Sequence, residues 1–292
     1  MLTKSVCRAI LGGIVLLGTG AGPAAEKPAP FPFFALCMDT HDSRKRNLAE
    51  QAGMLRELGY DGMGHLWLDD VAERLRTADG AGLRVFQVYL NVLLDSPDQP
   101  YDRRLKEVIP LLNGRHIQLA ILFKNARPSD ESLDPVAMRI LHEIAGLTRS
   151  TDIQIVLYPH AHFWLERVED AIRLARKMQP VDVRTMFNLC HWLAVDDEKD
   201  LAPLLTAAKP YLAAITINGA DTAAEIHAKT GKWIRPLDSG SFDLGGFLRA
   251  LKESGYSGPI GLQCYGITGD AREHLARSMA AWRKLSAALD AR

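Results

Sequence analysis

The chain has 292 residues, 47% of them hydrophobic, with 35 Lys+Arg against 35 Asp+Glu and a formal net charge of zero. That length supports one large core, so one barrel-sized domain fits as well as two small ones. The charge balance disfavours nucleic acid, which takes an excess of cations to displace its counterions, and leaves a small neutral or polar ligand as the better fit.

The N-terminus opens with "MLTKSVCR", carrying Lys4 and Arg8. The 12-residue apolar run "AILGGIVLLGTG" follows, then "AGPAAEKPAPFP" with its small residues and prolines. This is the layout of a secretory signal over residues 1–25, cleaved near Ala24 or Ala25, with a linker at 26–32. A membrane span needs about 20 apolar residues. The expectation is a secreted or periplasmic protein with no membrane attachment after cleavage. The mature chain keeps Cys37, Cys190 and Cys264, an odd set that allows no full disulfide framework. A closed barrel would make the first and last strands neighbours, so a Cys37–Cys264 bridge is one option. Packed free thiols are the other.

Beyond the linker, short apolar runs alternate with amphipathic stretches. A strand is predicted at 33–38 and a helix at 43–59, with Leu48, Ala52, Leu55 and Leu58 on one face and Gly59 as its stop. Strand 60–67 precedes helix 69–82. Strand 83–94 precedes helix 101–114, which Pro110 must kink or shorten. Strand 116–123 leads to a helix at 135–150 that opens on Pro135. Strand 153–160 leads to helix 167–178, strand 183–190 to helix 199–212, and strand 212–218 to the irregular stretch 219–240. Helix 240–256, strand 258–266 and helix 271–289 complete the series. The strand cores are apolar with little alternation, as when both faces are covered. Eight strand–helix units predict an α/β fold, a (β/α)8 TIM barrel at 33–292 in a single domain. The alternative, an open doubly wound sheet, lacks the Gly-rich turn after its first strand: "CMDTHDSRKR" has no glycine.

In such a barrel, active groups come from the C-terminal strand ends. Those ends carry Lys124, Tyr158 and His160, Asn188 with His191 and Trp192 beyond it, Thr216 and Asn218, and Gln263 and Tyr265. Residues two apart share a strand face, so the mouth is expected to be a ring of amides, hydroxyls and imidazoles with almost no carboxylate. Each has a plainer reading. Asn188 and Gln263 could bridge neighbouring backbone, His160 and His162 could be a metal pair or a polar strand end, and Lys124 could be a solvated loop residue. Asp39, His41 and His65 are weaker candidates, and Asp39 could cap the helix that follows it.

The segment "WIRPLDSGSFDLGGFLRALKESGYSGPIGLQCYG" resembles the xylose-isomerase-like barrel superfamily, the sugar phosphate isomerase/epimerase group. The resemblance covers about residues 33–289. It implies keto–aldo or epimerisation chemistry on sugars and a divalent metal held by an acid from strand five, an aspartate from strand six, a histidine from strand seven and a glutamate from strand eight. At those places this chain has Tyr158, Asn188, Thr216 (or Asn218) and Gln263, while His191 matches the histidine of an Asp-x-x-His strand end. Hard divalent ions want anionic oxygens, so the expectation is no metal cofactor, with a divalent ion on relocated ligands as the lesser alternative. The predicted function is an exported isomerase or epimerase, or a lyase, acting on a sugar or keto-sugar. His191, His160 and Lys124 would be its acid–base groups. Asn188, Asn218, Gln263, Tyr158, Trp192, Tyr265 and His65 would contact the carbohydrate. A non-catalytic carbohydrate-binding protein is the alternative.

Overall fold

The computed structural model describes residues 31–290; the expected signal and residues 26–30 of the expected linker lie outside them. In chain order the elements are β1 (Phe33–Leu36), α1 (Leu48–Leu58), β2 (Gly62–His65), α2 (Val71–Gly80), β3 (Arg84–Leu93), α3 (Leu105–Leu112), β4 (Gln118–Lys124), α4 (Asp134–Thr148), β5 (Gln154–Leu157), α5 (Val168–Met178), β6 (Val183–Asn188), α6 (Leu189–Val195), α7 (Leu201–Ala208), β7 (Leu212–Ile217), α8 (Ala223–His227), α9 (Leu244–Glu253), β8 (Ile260–Gln263) and α10 (Ala271–Asp290). Each strand pairs in parallel with the next, and β8 closes on β1 through Phe33–Ile260 to Leu36–Gln263. The fold is the expected single-domain (β/α)8 barrel.

Local chemistry explains the element ends. Asn47 accepts from the Glu50 backbone N–H at 3.0 Å, and the Glu50 carboxylate accepts from the Asn47 N–H at 2.9 Å, which closes a capping box at the start of α1. Asn47, not Asp39, is therefore the cap of that helix. Gly59 ends α1 with φ 87°, a left-handed turn that costs glycine no Cβ clash. Asn47→Ala is expected to lower stability by about 1 kcal/mol, read as a shift of the urea midpoint at unchanged slope.

Two apolar layers result. One lies between strands and helices, where Phe33, Val88, Ile121, Leu157, Phe187 and Ile215 pack against α-helical side chains. The other fills the barrel interior with Phe34, Leu36, Phe86, Ala120, Leu122, Val156, Met186 and Ala214. Gly261 belongs to this inner face. A Cβ there would stand 2.7 Å from the Phe34 ring, so only glycine lets Phe34 fill the axis. Above this plug, toward the C-terminal strand ends, the inward positions turn polar.

Several elements are shorter than expected: β5 stops at Leu157, β7 at Ile217 and β8 at Gln263, so Tyr158, His160, Asn218 and Tyr265 lie in the loops just beyond their strands. β6 stops at Asn188, and the apolar residues after it coil into α6. Leu189, Trp192 and Leu193 recur at helical spacing and are all buried, so a run that reads as the tail of a strand is one buried turn and a half of helix. The irregular stretch 219–240 holds the short α8, capped by Thr222 and Glu225. Cys37, Cys190 and Cys264 are unbridged. Burial pushes all three thiols up, Cys190 to about 12, so none offers a thiolate at neutral pH. Among the described residues no helix is long and apolar enough to cross a membrane.

Candidate active site

A directed run of hydrogen bonds crosses the mouth. It starts at the backbone N–H of Tyr265, which donates to Gln263 Oε1 at 3.0 Å. That contact fixes which end of the amide is the donor, and Gln263 Nε2 lies 3.3 Å from the Tyr158 hydroxyl. The amide nitrogen can only donate, so the hydroxyl accepts there and turns its proton to His191 Nε2, 3.4 Å away. Burial pushes the Tyr158 pKa well up, so the hydroxyl keeps that proton. With the hydroxyl donating to Nε2, the neutral His191 carries its own proton on Nδ1, a buried atom with no partner. The run ends on an unspent N–H.

His160 has the same tautomer but a free lone pair. Its Nδ1 lies 2.8 Å from the Ala161 carbonyl, which can only accept, so Nδ1 carries the proton. The Nε2 lone pair makes no hydrogen bond with the described residues. The two imidazoles stack with ring centres 3.7 Å apart, and Phe163 stacks on the other face of His160 at 3.8 Å. Lys124 comes next, with Nζ 4.6 Å from the Phe163 ring and 5.1 Å from the Trp67 ring. His160 thus keeps a free lone pair, the Nδ1 of the adjacent His191 ring is buried and unpartnered, and an ammonium lies one ring further on.

The electrostatics keep both imidazoles neutral. Burial, with the Lys124 charge and His162 adding to it, lowers His160 to about 4. Burial, then His160 and His162, holds His191 well below its ordinary range. Burial also lowers Lys124, which has only aromatic faces for company.

The other expected residues fall into two groups. Asn188 and Asn218 are inside the barrel but their amides serve the protein. Asn188 Nδ2 donates to the Pro159 carbonyl at 2.8 Å, and its Oδ1 accepts from Thr216 Oγ1 at 2.8 Å. Asn218 Nδ2 donates to the carbonyls of Gly219 (2.8 Å) and Trp233 (2.7 Å), leaving only a buried Oδ1 without a partner. His65 and Trp192 are not at the mouth at all. β2 turns Gly62 and Gly64 inward, so His65 faces the helices, where Nδ1 accepts from Arg74 Nε at 3.2 Å and Nε2 donates to the Asp69 carbonyl at 2.7 Å. Trp192 is 2% exposed in the outer core, 5.5 Å from Phe187, because α6 turns it away from the axis. Tyr265 is 55% exposed and meets His41 edge-on at 5.0 Å, at the rim.

Four residues outside the expected set shape the cavity. Tyr89 packs edge-on to Tyr158 at 5.6 Å, and Trp67 and Phe163 bracket Lys124. Trp233, from the irregular stretch, stands 6.1 Å from both His191 and His162. Inward alternation along β3 is a signal for Tyr89; the other three sit in loops with no periodic pattern.

A divalent metal does not fit the residues at these positions. Asn188 and Gln263 spend their amide oxygens on Thr216 and on the Tyr265 backbone. Thr216 and Tyr158 are neutral donors, and among the described residues no group of three His, Cys, Asp or Glu is placed to hold an ion.

Comparison with known proteins bears on the barrel. The xylose isomerase-like TIM barrel family matches residues 52–285. No curated protein matches the chain. The 3-keto-D-glucoside 4-epimerase YcjR from E. coli shares 14% identity and a TM-score of 0.66, covering 87% of this chain and 99% of its own. D-allulose 3-epimerase from Methylomonas sp., in complex with D-allulose, shares 16% identity and a TM-score of 0.64, covering 88% and 91%. A xylose isomerase-like barrel from Mycobacterium smegmatis, in complex with magnesium, shares 16% identity and a TM-score of 0.64, covering 89% and 98%. At these identities the structural likeness speaks for the barrel alone. With the profile spanning most of the chain and a closed eight-stranded barrel beneath it, this protein belongs to the xylose isomerase-like TIM barrel family.

Proposed function

We propose that the protein is an exported isomerase or epimerase of sugars or keto-sugars that moves protons with its own side chains and not with a divalent metal. The observation that carries this reading is the pair of closely packed neutral imidazoles at the barrel mouth, ring centres 3.7 Å apart, of which His160 keeps a free Nε2 lone pair. His160 Nε2 takes the proton from a carbon beside the substrate carbonyl. The electron pair of that C–H bond becomes the enolate double bond, and the carbonyl oxygen gains the negative charge. The Lys124 ammonium, and His191 Nδ1–H once a ring rotation uncovers it, supply the donors that oxygen needs, in a low-dielectric site where such contacts are worth more than in water. His160 returning the proton to the old carbonyl carbon, after the hydroxyl proton shifts between oxygens, isomerises the sugar; inverting the first carbon takes a proton from a second donor on its opposite face, with His160 giving its own proton up to solvent.

A pKa of about 4 makes His160 a weak base in the empty cavity. A negative charge forming beside the imidazolium raises its hold on the proton, so the base strengthens as the reaction proceeds. Export enters through the N-terminal signal pattern, and an N-terminus near residue 26 in the secreted protein is the expected mark of it.

The test is exchange of solvent deuterium into keto-sugars and 3-keto-glycosides, followed by NMR on protein stripped with a chelator. Exchange is expected without added metal. The kcat/KM is expected to stay level from pH 8 down to about 5 and to fall with a midpoint near 4, because the base is lost only when His160 protonates. Activity that vanishes on chelation and returns with magnesium or zinc defeats the metal-free reading. The low proton affinity of both imidazoles favours one alternative, a carbohydrate-binding protein, for which the same assay returns binding and no exchange.

A further inference from the structure

A cavity of about 210 Å3 opens beside the mouth, between the chain ends of β2 and β3. It shares two walls with the candidate active site. Trp67 presents its ring to Lys124, and Tyr89 packs against Tyr158. Tyr101 and Asn91 add to the lining. The volume equals about seven waters at ~30 Å3 each, room for one ring and no more.

The lining says what kind of ring. Arg104 donates to Asp69 Oδ1 at 2.7 Å and to Asp102 Oδ2 at 2.6 Å, which ties the loop after β2 to the loop after β3. Two carboxylates share one guanidinium, so the rim is net negative and an anionic ligand is repelled. Asn91 Oδ1 is buried with no hydrogen-bond partner, an unspent acceptor in the wall. A small turn about its last, soft torsion offers it to a ligand hydroxyl. The lining thus offers both an acceptor and unspent side-chain donors such as Asn91 Nδ2, and the aromatic walls suit the C–H face of a sugar.

Resting on the sugar-enzyme reading above, we propose that this cavity is a subsite for a second, neutral, polyhydroxylated ring, so that the preferred substrate is a glycoside whose keto ring sits over His160 and whose other ring lies between Trp67 and Tyr101. The orphaned Asn91 carbonyl accepts a hydroxyl from that second ring.

The test compares three probes by deuterium exchange and by titration calorimetry: 3-keto-glucose, its methyl glycoside and a 3-keto disaccharide. The wild type is expected to favour the disaccharide over the free sugar by tenfold or more in kcat/KM. Asn91→Leu is expected to remove most of that preference while leaving the free sugar unchanged. Tyr101→Leu, a partly exposed site, repeats the measurement if Asn91→Leu does not fold. Equal kcat/KM for all three probes in the wild type, or equal losses on free sugar and disaccharide in the variants, overturns the subsite. Failure of every probe to bind or exchange overturns the sugar-enzyme reading itself, and the subsite with it.

Discussion

His160→Gln is expected to lower kcat on a keto-sugar by about 10²–10⁴, with substrate binding changed far less. Glutamine has no lone pair that takes a proton at neutral pH, while its amide still fills part of the space between Phe163 and His191. The same change has a signature in stability. In the fold His160 has a pKa of about 4, against the ordinary 6.5. Above pH 6.5 the imidazole is neutral folded or unfolded and contributes nothing. Between pH 6.5 and about 4 the unfolded chain takes up a proton that the folded one refuses, so stability falls as pH falls. Below 4 both forms are protonated and the loss is complete. At 1.36 kcal/mol per unit this amounts to about 3 kcal/mol. Urea titrations at pH 7 and pH 4 should show the variant losing less stability on acidification than the wild type by roughly that amount. Full activity in His160→Gln would remove the proposed base.

Asn188→Asp is expected to destabilise the fold at pH 7 by about 2–4 kcal/mol, although the two side chains have the same shape. The amide is 1% exposed and bonded at both ends. Its NH2 holds the Pro159 carbonyl and its oxygen receives Thr216. A carboxylate keeps the Thr216 contact and loses the other, because it has no hydrogen to give. It also sets a negative charge against a carbonyl oxygen 2.8 Å away. Burial and that oxygen both favour the protonated acid, whose O–H can donate to Pro159. The deficit relative to wild type should therefore shrink as pH falls from 7 to 4, in denaturant curves taken at both ends. A variant as stable as wild type at pH 7 would show that the Pro159 bond counts for nothing. The choice of Asn188 where relatives of this shape are expected to carry an aspartate then has a mechanical reason: the side chain ties β6 to the loop that presents His160.

The barrel was legible because its strands are buried on both faces and its helices are covered on one, which leaves two distinct periods in the sequence. α6 was not, since "NLCHWL" is apolar enough to continue a strand and too short to display a helical repeat. That polar residues follow the apolar strand cores was readable, with Gln263 ending β8 and Tyr158 and His160 just past the end of β5. What their atoms would bond to did not, because Pro159, Thr216 and the Tyr265 backbone come to Asn188 and Gln263 only after the sheet has closed. For His65 a signal was present: Gly62 and Gly64 on alternate positions mark the crowded side of β2, which puts the histidine on the other. Trp67, Phe163 and Trp233 lie on loops whose course depends on what they pack against.

The hydrogen bonds that run from Tyr265 to His191 begin at a main-chain amide, which has only one way to point. Every group downstream inherits that sense, and no single rotor can reverse it without orphaning a neighbour. The polarity of the run is thus written into the backbone at the rim: its far end is a buried N–H, which a ligand oxygen reaches only after the imidazole turns.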